Sequence, residues 1–279
     1  MRVQGSFIHP SALADYCCTS APLMLSVCLT RTKPLLQGLC ALAWALASVA
    51  TILSITRMGI TAFMVASAGV LAVSLATHMT QRNIVVVLMC AIVGGGLFFR
   101  GYDKMAERHA AMTALEENGL AGAGRKVYYK EAWDMANQNP FGVGLNNWSW
   151  WLSDRSGVPY QSTSEPGDGT HVIMAHSAFA LTLGELGWPG FLIFLALWGR
   201  WAVISGRYMF VRKPAFLTSL LSGCFFVIVA AFLAALTEHN FRNQLFFIFF
   251  NIVLGFMVAV RRIHINQHNQ EVAETGFLI

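Results

Sequence analysis

The chain is dominated by apolar runs long enough to cross a lipid bilayer, and these constrain its fold more than any other feature. A helix needs about 20 apolar residues to span the hydrocarbon core. Runs of that kind occupy residues 11–30, 34–53, 58–77, 83–99, 177–199, 215–237 and 243–260. In lipid, every backbone N–H and C=O must be satisfied within the segment, so these runs are expected to be helices. The second, third, fourth, sixth and seventh carry no charge, whereas the first carries Asp15 and the fifth Glu185. The fifth is also the least regular, with Gly184, Gly187, Pro189 and Gly190 close together. Composition agrees: 12% of residues are charged, against roughly 25% in a soluble domain, and mean hydropathy is +0.54. The expected fold class is an all-α integral membrane protein with about seven transmembrane helices and one large outer loop containing an amphipathic helix. Residues 1–100 would form the first four membrane helices, 101–175 the loop, 176–260 the last three helices and 261–279 a cytoplasmic tail.

Orientation follows from basic residues in short loops, which collect on the cytoplasmic side. Arg31 and Lys33 follow the first run, Arg82 the third, Arg200, Arg207, Arg212 and Lys213 the fifth, and Arg261 and Arg262 the seventh. These alternate and fall on one face, taken as cytoplasmic. The opposite face has "SITRMG" and "TEHNFRNQ", with one arginine each, and the long segment 101–175. Nine of the fourteen acidic residues fall in that segment, making it the one substantial polar region. Seven spans with a cytoplasmic tail put the N-terminus outside. The sequence is therefore expected to be the C-terminal part of a longer membrane protein, a reduced version of one, or a chain read from a start codon chosen too late.

Within the outer segment, residues 103–138 are expected to be helical. Val127, Tyr128, Ala132 and Met135 recur near 3.6-residue spacing in "GRKVYYKEAWDMANQ". Residues 139–171 are expected to be loop, because "NPFGVGLNNW" and "SEPGDGT" are rich in turn formers. Trp148, Trp150, Trp151, Tyr160 and Trp188 are expected mainly as interfacial anchors, with stacking on sugar faces as the alternative. The six cysteines lie in apolar runs without metal-ligand spacing and are expected to face lipid or core.

Ionisable groups at or inside a membrane are functional candidates because they are costly there. Arg57 sits in a turn so short that its guanidinium must lie near the boundary. It is either a snorkelling arginine or a fixed fork for phosphate oxygens. Arg125 follows glycines at the start of a helical pattern, where free N–H groups and the helix dipole suit an anion. Lys126 and Lys130 compete for that role. His176 opens the fifth run. Histidine titrates nearer neutrality than other side chains, so His176 is a candidate general base. An interfacial or capping role stays open, and His171 is a competitor. On a continuous helix Glu185 lies about 180° from His176, so the two do not pair unless the Gly184–Gly190 region breaks the helix. Glu185 can instead be held by Arg57, Arg125 or Arg242, and a structural ion pair is as good an account as a catalytic role. The outer loop "TEHNFRNQ" adds Glu238, His239 and Arg242.

Several chemistries lack their residues. There is no Ser-His-Asp order, no P-loop and no metal-ligand spacing, and "GVGLNN" lacks the βαβ context of a dinucleotide fingerprint. An enzyme built this way takes a substrate delivered from the lipid.

Taken in order, four stretches carry a resemblance. "GSFIHPSALADY" before "APLMLS" is similar to a G-x-F-x-x-P-N-x-L-A helix start, and "SITRMG" to a T-x-S-R turn. "GRKVYYKEAWDMANQNPFGVGLNNW" is similar to R-x-x-x-W-x-x-A-x-x-M-x-x-x-x-P-x-x-G-x-G, and "AHSAFALTLGELGWPG" to H-N-x-y-L-x-x-x-x-E-x-G-x-x-G. Together they cover about residues 2–255 and resemble the O-antigen ligase and polymerase family of bacterial inner-membrane proteins. The resemblance implies a membrane glycosyltransferase that moves a glycan from an undecaprenyl diphosphate carrier to an acceptor on the periplasmic side. It implies diphosphate-binding arginines at Arg57 and Arg125, a catalytic base at His176, and no metal or other cofactor. Beside these, Glu185 and Arg242 are expected as supporting residues, and attack opposite the leaving diphosphate would invert the anomeric carbon. The implied partners are the carrier-linked donor, a lipid A-core or glycan acceptor and the bilayer, without nucleic acid. The chain departs from the pattern at Ser177, where the family has asparagine, and in its Ile-Thr-Arg turn, where the family has Gln-Ser-Arg. It is also expected to lack the family's first helices.

Within this class the acceptor separates a ligase from a polymerase and from a protein O-oligosaccharyltransferase, and the motifs do not. Outside it, a transporter lined by Asp15, Glu185 and the arginines, or an inactive truncated homologue, are the rivals. Against transport, the charges gather at one boundary, and only one span is broken where transporters often pair two.

Overall fold

The computed structural model describes residues 9–30, 32–77, 125–156, 175–207 and 215–276, with residues 7, 84, 85, 95, 209 and 210. The regular elements among the described residues are all helical: α1 (Pro10–Leu29), α2 (Pro34–Leu53), α3 (Arg57–Thr77), α4 (Arg125–Gln138), α5 (Trp148–Ser156), α6 (Ala178–Gly206), α7 (Ala215–Ala235), a 3₁₀ turn (Asn240–Arg242) and α8 (Gln244–Gly276). Among the described residues, six helical stretches are long and apolar enough to cross a membrane: Pro10–Leu29, Pro34–Leu53, Arg57–Thr77, Ala178–Gly206, Phe216–Ala235 and Gln244–Gln267. The chain is an all-α, multi-pass integral membrane protein. The expected span 83–99 lies almost wholly outside the described residues, and so does the 103–124 part of the expected helix 103–138.

Three boundaries differ from expectation. The helix α6 runs on through Arg200 to Gly206. One arginine does not end an apolar helix, because its long stem lets the guanidinium reach the boundary. The helix α8 continues past Arg261 and Arg262 to Gly276, so most of the expected tail is helical. The stretch 139–171, expected to be loop, contains α5. Turn formers flank α5, but its own "WSWWLSDRS" has no glycine, proline or asparagine, and Trp148 is buried on the core side.

The chain divides into two compact units, Met1–Gly101 with Gly199–Leu233 and Gln244–Ile279, and Tyr102–Trp198 with Ala234–Asn243. In the first, α1 packs against α2, α3 and α8. Its core joins Cys18, Ala21, Leu25 and Leu29 of α1 to Trp44, Ala62, Phe63, Ala66, Val70 and Ala230. The hydroxyls within these helices bond backward along their own backbone, as Thr19 to the Asp15 carbonyl (2.7 Å), Thr30 to Ser26 (2.7 Å) and Ser48 to Trp44 (2.8 Å). That satisfies polar groups where no water reaches. The Leu35, Leu39, Leu42 and Leu46 side chains of α2 stay exposed, as lipid-facing residues do.

Small residues set how closely helices approach in a membrane. A Cβ on Gly223 of α7 would meet the Ser26 side chain and lie 3.2 Å from the Leu23 Cα of α1. Backbone cannot yield as a side chain can. The substitution Gly223→Leu is therefore expected to destabilise the purified protein by about 1–3 kcal/mol. Thermal unfolding in detergent reads this, and an unchanged midpoint would contradict the packing.

The second unit has its own core. Ala132, Met135 and Ala136 of α4, Trp148 of α5, and Ala175, Ala180, Leu181 and Leu183 at the head of α6 pack together. Tyr128, Ala132 and Met135 of the expected 3.6-residue periodicity lie on this face of α4. This unit holds four of the candidate residues.

Candidate active site

The chain enters α6 through Ala175, His176 and Ser177. Ser177 caps the helix, its Oγ accepting from the Ala180 N–H at 3.2 Å. The same hydroxyl donates to the Tyr129 Oη of α4 at 3.1 Å, and Tyr129 donates to the Leu236 carbonyl at 2.6 Å. One residue further on, the Ala178 N–H, without an intrahelical partner at a helix start, donates to the Glu238 carbonyl at 3.1 Å. The turn after α7 is thus tied at two points to the residues around His176. This also accounts for Ser177 where the family pattern has asparagine, since both are good N-caps.

These ties bring two side chains to His176. Its Nδ1 lies 3.5 Å from the Glu238 Oε2, and its ring centroid 5.0 Å from that of His239. The Tyr128 ring is 6.4 Å away. At 3.5 Å the carboxylate contact is electrostatic, somewhat longer than a formed N–H···O bond. A carboxylate on Nδ1 favours the tautomer protonated there and leaves the Nε2 lone pair as proton acceptor. The His176 side chain is 47% exposed and that of Glu238 14%. The acid is thus largely shielded and the base accessible.

Glu185 has a different partner. It is 2% exposed, and its carboxylate accepts from the Arg242 guanidinium. Arg242 also donates to the Asn146 Oδ1 at 2.7 Å. The helix α6 breaks just beyond, at Gly187 (φ 66°, ψ −167°). The loop after α4 satisfies the polar groups freed by this break. Val143 and Gly144 N–H groups donate to the Gly184 and Glu185 carbonyls at 3.1 and 3.0 Å, and Trp188 N–H donates to the Pro140 carbonyl at 3.0 Å. Gly142 (φ 85°) and Gly187 pass so close that a Cβ on either would strike the other's backbone neighbours. The break comes after Glu185, so the separate partners expected for His176 and Glu185 are observed.

The arginines are placed separately. Arg125 is the first residue of α4 in the second unit. Arg57 is the exposed first residue of α3 in the first unit. The turn before it holds Ile55 at φ 52°, a conformation β-branched residues rarely adopt. The Ser54 hydroxyl fixes that turn, with bonds of 2.6 Å to the Thr51 carbonyl and 3.1 Å to the Thr56 hydroxyl. Local strain of this kind gathers at functional positions. His171 and Tyr160 lie outside the described residues.

One tryptophan departs from the anchor role: Trp148 is 1% exposed in the core. Trp188 meets Trp133 edge-on at 4.9 Å. Trp150 is 62% exposed. Tyr129 and Asn146 carried no distinguishing signal in the sequence, because their partners lie far along the chain.

Removing one member of a buried ion pair strands the other. Arg242→Ala leaves the Glu185 carboxylate buried alone, with an expected loss of about 3–5 kcal/mol. Glu185→Gln leaves a neutral acceptor for the guanidinium, and its loss should be smaller. Unfolding of both purified variants checks the order, and equal losses would show that the pair does not hold the loop.

Comparison with known proteins follows the same residues. No curated protein matches the chain. The family model for O-antigen ligase matches residues 42–195, a stretch that includes Arg57, Arg125, His176 and Glu185. That match covers more than half of the sequence, and the chain belongs to the O-antigen ligase family.

Proposed function

We propose that the protein transfers a glycan from an undecaprenyl diphosphate carrier to an acceptor hydroxyl at the periplasmic face of a bacterial inner membrane. Membership of the O-antigen ligase family supports glycan transfer in general. The accessible His176 imidazole backed by Glu238 carries the finer reading. In it, Nε2 of His176 takes the proton of the acceptor hydroxyl, a service typically worth about 10²–10⁴-fold in rate. The acceptor oxygen bonds to the anomeric carbon as the bond to the diphosphate oxygen breaks. The carrier diphosphate leaves as an anion, and attack opposite it inverts the anomeric centre without a metal in the transfer step. Arg57 and Arg125 neutralise the developing charge, as fixed donors do for about 2.7–4 kcal/mol each. Glu185 and Arg242 support the loop beside them. The alternation of basic residues supports the periplasmic assignment.

Cells lacking the gene test this by complementation, with surface polysaccharide as the readout. The wild-type gene is expected to restore the polysaccharide. His176→Ala, Arg57→Ala and Arg125→Ala should each leave it reduced while inserting normally. Accumulated carrier-linked polymer in the deletion strain identifies a lipid A-core ligase, and single repeat units a polymerase. Full complementation by His176→Ala would remove the base assignment.

A further inference from the structure

We propose a divalent transition-metal site at His176, Glu238 and His239, at which a zinc-class ion competes with the acceptor's proton for His176. Two imidazoles and one carboxylate, with a fourth position left open, are a set that zinc accepts. The ligand atoms of the three residues lie within 4.8 Å of one another. In a tetrahedral site with bonds of about 2.0–2.1 Å, ligand atoms stand roughly 3.4 Å apart. The His176 Nδ1 and Glu238 Oε2 are already at 3.5 Å. Side-chain rotation that shortens the longest separation by up to about 1.4 Å brings the set to coordinating distance.

The backbone under this cluster is fixed. Ala178 N–H on the Glu238 carbonyl and Tyr129 on the Leu236 carbonyl hold the two ligand-bearing segments together. A site built on a supported backbone loses little entropy when the ion arrives. The exposed edge of His176 admits the ion from solvent. Arg242, the basic residue nearest to His239 along this segment, is engaged by Glu185 and Asn146. One carboxylate leaves the bound ion with a net positive charge, so the open position suits water or a phosphate oxygen. The ligands come from two stretches far apart in sequence, and for this reason no ligand spacing is visible in either.

A ligated His176 has no free lone pair, so on the reading that His176 is the base, the ion inhibits transfer. Binding itself is independent of that reading. The test is a zinc titration of the purified full chain, carrying a histidine-free tag, by calorimetry in detergent. One-to-one binding is expected, weakened by roughly 100-fold or more in His239→Gln, beyond the usual loss for a supporting residue. Diethylpyrocarbonate labelling of the wild type provides a measurement that needs no variant. Zinc should shield His176 and His239 while exposed His9 stays reactive. Absence of stoichiometric binding, undiminished binding in His239→Gln, or equal labelling with and without zinc would each overturn the site. Zinc that binds there yet leaves transfer unaffected would overturn the base role of His176 and leave the metal site standing.

Discussion

A buried carboxylate inside an apolar helix needs a partner, and Glu185 finds it in Arg242. Much of the second unit depends on that pairing. Arg242 lies beyond the end of α7, so the pair fastens the turn 236–243 to α6. Through Asn146 the same guanidinium reaches the loop that follows α4. Two residues after Glu185 the helix breaks, and that loop caps the broken ends with three backbone hydrogen bonds. A break of this kind is tolerated at membrane depth only where protein covers it. The glycines, the proline and the ion pair are parts of one joint.

The joint also bears on the site. The turn carrying Arg242 carries Glu238 and His239, and the head of α6 carries His176. Tyr129 and the Ser177 cap register these segments against each other. A half-exposed imidazole with a shielded carboxylate at one nitrogen is suited to accept a proton. It is equally suited to accept a metal ion, so the proposed mechanism and the proposed inhibition rest on the same geometry.

Much of this was legible in the sequence. Hydropathy located the six spans seen among the described residues and bounded α1, α2 and α3 closely, because lipid imposes one length and one secondary structure. The 3.6-residue pattern of Tyr128, Ala132 and Met135 exposed α4, and helical phase kept His176 and Glu185 apart. Other features were hidden. Glu238 and Tyr129 reach His176 and Ser177 only through tertiary contacts, which no local period encodes. Trp148 resembled an interfacial anchor because tryptophan serves both interface and core, and only the packing of α4 on α6 decides. The charged residues Arg200, Arg261 and Arg262 suggested helix ends, but a charge marks the membrane boundary and a helix can pass through it.

The most direct test is transfer in proteoliposomes containing the purified chain, a synthetic polyprenyl diphosphate-linked glycan and an acceptor, timing both acceptor glycosylation and release of free polyprenyl diphosphate. The account predicts that wild type yields both products in equal amounts. It predicts that His176→Ala, properly folded and inserted, slows both together by about 10²–10⁴-fold. Equal rates from the two proteins would contradict it.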